Sequence, residues 1–249
     1  MIRSGNPALK ESTFATVPRA ATFGGEAMTI QGTANKAFLL LAFVLVPAMY
    51  TWNLAVSEGP EVVYPLAMVG GIAGLVLALL TIWKKTWAMV TAPLYAVAQG
   101  LALGAISSIF EVRFPGIVIQ AVGLTFGIFA ALLFAYKSRM IQATENFKLG
   151  VAAATGGVFI IYLVQFGLSF FGIQIPYIHE SGMIGIGFSL VICVIAALNL
   201  VMDFDFIEAG EKTGAPKYME WYAAFGLLVT LIWLYMEILR LLSKLRGKN

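Results

Sequence analysis

The chain has 249 residues, of which 60% are hydrophobic and only 12% charged, with a formal net charge of +3. Soluble domains carry about 25% charged residues, so this composition, with a mean hydropathy of +0.87, excludes an ordinary soluble fold and points to an integral membrane protein. The basic residues sit between apolar runs and are not interleaved with aromatics, so no nucleic-acid partner is expected.

Positions 1–36 are polar and small, with Gly5, Pro7, Pro18, Gly24, Gly25 and Gly32. No apolar core precedes position 37, which speaks against an ordinary signal peptide and for a polar cytoplasmic arm. Seven apolar runs follow, at 37–55, 64–83, 88–110, 117–136, 149–171, 183–202 and 221–242. Each has about 20 residues, enough at 1.5 Å per residue to cross a hydrocarbon layer about 30 Å thick. None shows the short alternating pattern of a barrel strand. The expected fold is therefore an all-α integral membrane protein, a seven-transmembrane-helix bundle over 37–242, followed by a basic tail at 243–249. Pro47 and Pro93 fall inside two runs, which a membrane bundle tolerates.

Lys84, Lys85, Lys137, Arg139, Lys148, Lys212 and Lys217 follow runs two, four and six, whereas only Arg113 lies in the other connections. The positive-inside rule then places the N-terminus in the cytoplasm. Seven crossings leave the C-terminus outside although it carries Arg240, Lys244, Arg246 and Lys248; either the tail is an exception to the rule, the reading preferred, or the last run is re-entrant.

Small residues recur four apart: Gly70, Gly74 and Ala78; Ala96, Gly100, Gly104 and Ser108; Gly123, Gly127, Ala131 and Ala135; Gly185, Ser189, Cys193 and Ala197. Each series lies on one helix face and reads as a smooth stripe for close packing. Cys193 is the single cysteine and is a packing residue in this reading. With the single histidine, His179, placed in a polar turn, it excludes a disulfide framework and an ordinary zinc site.

Carboxylates at membrane depth are costly and mark functional positions. Asn199 and Asp203 share a face of the sixth run, Asp205 points elsewhere, and Glu208 and Glu211 continue the acidic character. At the end of an apolar run, Asp203 and Asp205 are also within reach of water. Lys84 and Lys85 close the second run on the same side and are candidate salt-bridge partners of Asp203. Thr230 and Glu237 share a face of the last run, where Arg240 offers Glu237 a simple interfacial pair. Trp221, Trp233 and Tyr235 suit interface anchors. Gln99 is either packing glue or part of a polar pathway.

The chain resembles the Bax inhibitor-1 family, in a prokaryotic branch. The resemblance rests on Tyr95-Ala-Val-Ala-Gln99-Gly100-Leu-Ala-Leu103-Gly104, on Asp203 followed by Ile207, and on the last run from Ala224 to Leu242 with its Leu239-Arg240-Leu241-Leu242. The segments Asn6–Leu9, Met28-Thr29 and Gly32-Thr33 add to it. What it implies is a bundle whose last helix is central, and a proton-sensitive Ca2+ leak governed by acids on the sixth and seventh helices. Asp203 takes the first of these positions. Thr230, which does not ionise, takes the second, and Gln99 replaces the third-helix acid.

The expected mechanism has Asp203 anchoring a polar plug near the cytoplasmic face. Lys84 or Lys85 holds the ionised form, and Asn199 and Thr230 complete the hydrogen bonding. A proton discharges the plug and changes how helices six and seven pack. Asp203 and Glu237 are weak candidate Ca2+ ligands, with no metal firmly placed and no cofactor expected. The competing reading is a non-conducting membrane protein of the bacterial inner membrane that modulates a membrane-bound protease through its arm. Enzymatic activity is not expected. Histidines for a zinc hydrolase, a mid-helix lysine for retinal, facing aspartates for an intramembrane protease and the usual phosphate and nucleophile loops are all missing from the sequence.

Overall fold

The computed structural model describes residues 26–169 and 182–247. His179 and most of the N-terminal arm lie outside the described residues. Among the described residues, seven helices are long and apolar enough to cross a membrane: α1 (Ile30–Glu58), α2 (Tyr64–Trp83), α3 (Ala88–Arg113), α4 (Ile117–Lys137), α5 (Glu145–Ser169), α6 (Met183–Lys212) and α7 (Met219–Arg246). Among the described residues there is no named strand; Ala27 and Pro216 form one isolated antiparallel bridge. The protein is an all-α, multi-pass membrane bundle.

The helices overrun their apolar stretches in ways the local chemistry explains. α1 starts at Ile30, ahead of the apolar run at 37, because Thr29 caps it with Oγ1 accepting from the Gly32 amide at 2.9 Å. α6 runs on past Met202 to Lys212, supported by an i, i+4 ion pair between Glu208 and Lys212. Asp203 and Asp205 are thus inside a helix and not at its frayed end. Gly59 (φ 100°) ends α1 and Gly116 (φ 79°) precedes α4, both in left-handed backbone that glycine adopts without a Cβ penalty.

By internal contacts the described residues form two units. One holds α1, α2, α3 and the adjoining ends of α6 and α7, covering 26–115 and 206–229. Here α3 packs against both α1 and α2. A Cβ on Gly100 would lie 2.3 Å from the Val44 carbonyl oxygen, and one on Gly104 2.2 Å from that of Ala48. A Cβ on Gly70 would come 2.5 Å from the Ala98 oxygen. These stripes work as expected, bringing backbones within touching distance. Tyr95 meets Phe225 edge-on at 5.0 Å.

The other unit holds α4, α5, most of α6 and the C-terminal part of α7, covering 116–169, 182–205 and 230–247. Phe204 packs edge-on against Phe129 at 5.6 Å. The stripe on α4 is not a close-packing surface at its glycines, since a Cβ at Gly123 or Gly127 would meet nothing within 4 Å. Spacing alone identifies a smooth face but not whether a neighbour uses it.

Burial differs sharply among the helices. The most apolar windows of α3 and α7 are each 56% buried, against 11% for α5. The outward side chains are apolar, as in Phe38 and Trp83, which suits contact with lipid.

Candidate functional site

Asp203 is 0% exposed, within α6 and nine residues before its end. This removes the simplest account of it as a carboxylate that water can reach at a helix end. One turn earlier, Asn199 is also buried and donates its Nδ2 to Thr155 Oγ1 on α5 at 2.8 Å and to the Ile195 carbonyl at 2.8 Å. Its Oδ1 is buried with no hydrogen-bond donor. Asn199 and Asp203 thus lay an oxygen-rich strip along one face of α6.

Asp205 faces elsewhere, as its spacing from Asp203 requires, and pairs with Lys148 at the start of α5 (2.9 Å). Lys148 is itself buried and also lies 3.6 Å from Glu145. In sequence Lys148 is only one of several loop bases that set orientation. Nothing in the spacing marks it as the partner of an acid 57 positions later (205 − 148).

Glu237 is buried, and its charge is met on the spot. Arg240 Nη1 donates to Glu237 Oε1 at 2.9 Å and Oε2 at 3.0 Å, and to Tyr162 Oη at 2.6 Å. Tyr162 Oη in turn donates to Glu237 Oε1 at 2.8 Å. The expected Glu237–Arg240 pair is present, with Tyr162 of α5 as an unforeseen third member. A carboxylate so engaged is a poor cation ligand. Among the described residues, no three of His, Cys, Asp and Glu are grouped as a metal site would need.

Thr230 is buried in α7. Gln99 lies against α2, its Nε2 2.5 Å from where a Gly74 Cβ would be, so its amide fills the notch that this glycine leaves. Lys84 Nζ sits over the Trp87 ring at 4.2 Å, and Lys85 opens the short 3-10 turn Lys85–Trp87.

A second polar centre, not foreseen from sequence, surrounds Glu220 in the first turn of α7. Its side chain is 0% exposed and accepts from Thr29 N and Thr29 Oγ1, both at 3.0 Å, and from Lys36. Lys217 Nζ lies 3.4 Å from Glu220 and 3.3 Å from Glu26. These contacts hold the Lys217 ammonium above its ordinary range, the Glu26 hydrogen bond foremost. Beside it, burial raises the Tyr218 phenol. Glu211 accepts from the Ile30 amide at 2.9 Å, and the backbone joins in through Met28 N to Ala215 O at 2.6 Å and Lys217 N to Glu26 O at 3.0 Å. The start of α1, whose unpaired amides attract anions, is thus fastened to the α6–α7 turn. The available signals were an acid in a first helical turn and a Thr-x-x-Gly cap, neither of which names its partner.

No curated protein matches the chain. A family model described as Bax inhibitor 1 like matches residues 6–247, nearly the whole length, and the chain belongs to that family.

Proposed function

We propose that the protein is a proton-sensitive cation leak in which Ca2+ is cargo, controlled by Asp203. The observation that carries this reading is the complete burial of Asp203 in a helix able to cross a bilayer. A carboxyl excluded from water is costly to keep charged, so a proton changes the interactions of its helix more than at any exposed acid. Asn199 and Thr155 add neutral oxygens and a donor beside it. Hard oxygen ligands suit Ca2+, and so sparse a set favours passage over storage.

In this reading Thr230 contributes polarity without charge, and Asp205 is committed to Lys148. The protein performs no covalent chemistry and needs no cofactor. It sits in a bacterial inner membrane with its N-terminus cytoplasmic. The test is a pH-stepped Ca2+ flux measurement on purified protein in liposomes. Asp203→Asn is expected to abolish the pH response. Flux and pH response both unchanged in that variant would remove the reading. Loss of a co-purifying membrane protease on deletion of the N-terminal arm, with no flux in the intact protein, would favour the non-conducting alternative.

A further inference from the structure

The turn between α2 and α3 carries Trp83, Lys84, Lys85 and Trp87 within five residues. α2 stops at Trp83, where the Lys84 amide bonds back to the Leu80 carbonyl at 2.8 Å. Trp87 N in turn bonds to Lys84 O at 2.9 Å. Behind the turn, the buried hydroxyls of Thr81 and Thr91 join α2 to α3 at 2.7 Å. The turn is therefore held from within, and little ordering is left to do when a ligand arrives.

Its outer side chains are a cation among indoles. Trp83 is 82% exposed and Trp87 50%, at the level where a spanning helix leaves the hydrocarbon and indoles settle among headgroups. Lys84 is exposed as well, with its Nζ over the Trp87 ring. The same unit repeats this pairing where α1 and α7 begin, with Lys36 Nζ 5.6 Å from the centre of the Trp221 ring. That lysine also has an anion, the Glu220 carboxylate. Among the described residues no carboxylate pairs with Lys84, and the chain has no acid from 62 to 110. The two lysine–indole pairs thus differ in one component. For Lys36 the protein supplies the anion, and for Lys84 the headgroup layer can supply it.

We propose that the α2–α3 turn binds an anionic phospholipid, with Lys84 on the phosphodiester and Trp83 and Trp87 beside it at the headgroup level. An anionic lipid offers its phosphate oxygens to the ammonium without the choline cation that phosphatidylcholine places next to the same phosphate. The site holds whether or not the protein passes Ca2+.

Full-length protein in detergent would be titrated with phosphatidylglycerol or with phosphatidylcholine of the same acyl chains, and bound lipids counted by native mass spectrometry. Wild type is expected to prefer phosphatidylglycerol. Lys84→Gln should lower that affinity about fivefold, the worth of one lysine at an anionic surface, and leave phosphatidylcholine binding unchanged. Trp87→Leu removes the ring beneath the ammonium and should cost about threefold, whereas Lys84→Arg should keep most of the affinity. Lys212→Gln, which removes an exposed lysine paired with Glu208, is the charge-matched control and should change nothing. Lys84→Met stands in for Lys84→Gln if thermal unfolding shows the latter unfolded. Equal wild-type affinity for the two lipids, or equal losses from Lys84→Gln and Lys212→Gln, overturns the site. So does a wild-type dimer that Lys84→Gln disperses with lipid binding unchanged, which would assign the surface to a second copy of the chain.

Discussion

The two ends of α7 each bury a glutamate and solve the same electrostatic problem differently. Glu220 draws its partners from the far end of the chain, with Thr29 191 and Lys36 184 positions away. Glu237 takes its cation from Arg240, three positions on in the same helix, with Tyr162 of α5 as a cap. The first acid ties distant segments together. The second is neutralised whether or not its neighbours arrive. Burial alone therefore does not tell what an acid does; the sequence distance to its counter-charge is more telling.

The largest expected effect follows directly. Glu220→Ala leaves Lys36 and the capped start of α1 without their anion and should cost about 3–5 kcal/mol, the range for breaking a buried ion pair. A double-mutant cycle sharpens the contrast. Coupling between Glu220 and Lys36, measured by unfolding in detergent, should reach about 2 kcal/mol, and that between Glu237 and the half-exposed Arg240 about 1 kcal/mol. Equal couplings would erase the distinction between the two ends.

A smaller effect is expected at Gly32, where a Cβ would lie 2.1 Å from Glu220 Oε1. Gly32→Ala must push the carboxylate off the cap and should cost about 1–2 kcal/mol. Gly71→Ala, with nothing within 4 Å, serves as the control and should not destabilise. If both alanines behave alike, the Glu220 carboxylate is not held against α1.

The smallest effect belongs to Lys217. Its contacts raise its proton affinity above the ordinary 10.5. The stabilisation it gives is therefore fully present below that value and is lost only as pH rises through the raised one. The unfolding difference between wild type and Lys217→Met should thus be small and constant across neutral pH. A slope there would assign the titration to another group of the cluster.

The spans were legible because lipid imposes one rule on every run: about 20 apolar residues with the backbone satisfied internally. The Glu237–Arg240 pair was legible too, since i, i+3 neighbours meet on any helix. Gly70, Gly100 and Gly104 gave their packing role through spacing alone. Gly123 and Gly127 have the same spacing and no neighbour, because periodicity defines a face and tertiary structure decides what covers it. For the same reason Lys148 could not be matched to Asp205, nor Lys36 to Glu220. Of the two readings open at Asp203, the water-accessible one arose because the apolar run ends near it; polar residues carry α6 on to Lys212 and the side chain is buried.

The fastening of Met28 to Ala215 and of Thr29 to Glu220 also bears on how the protein is made. At about 5–20 residues per second, a ribosome that has finished Thr29 needs roughly 10–40 s to deliver Glu220. Over that interval six spans enter the bilayer while the first waits for its anchor. A nascent chain stalled before position 220 should therefore leave the region around Met28 open to protease, and release of the stall should close it.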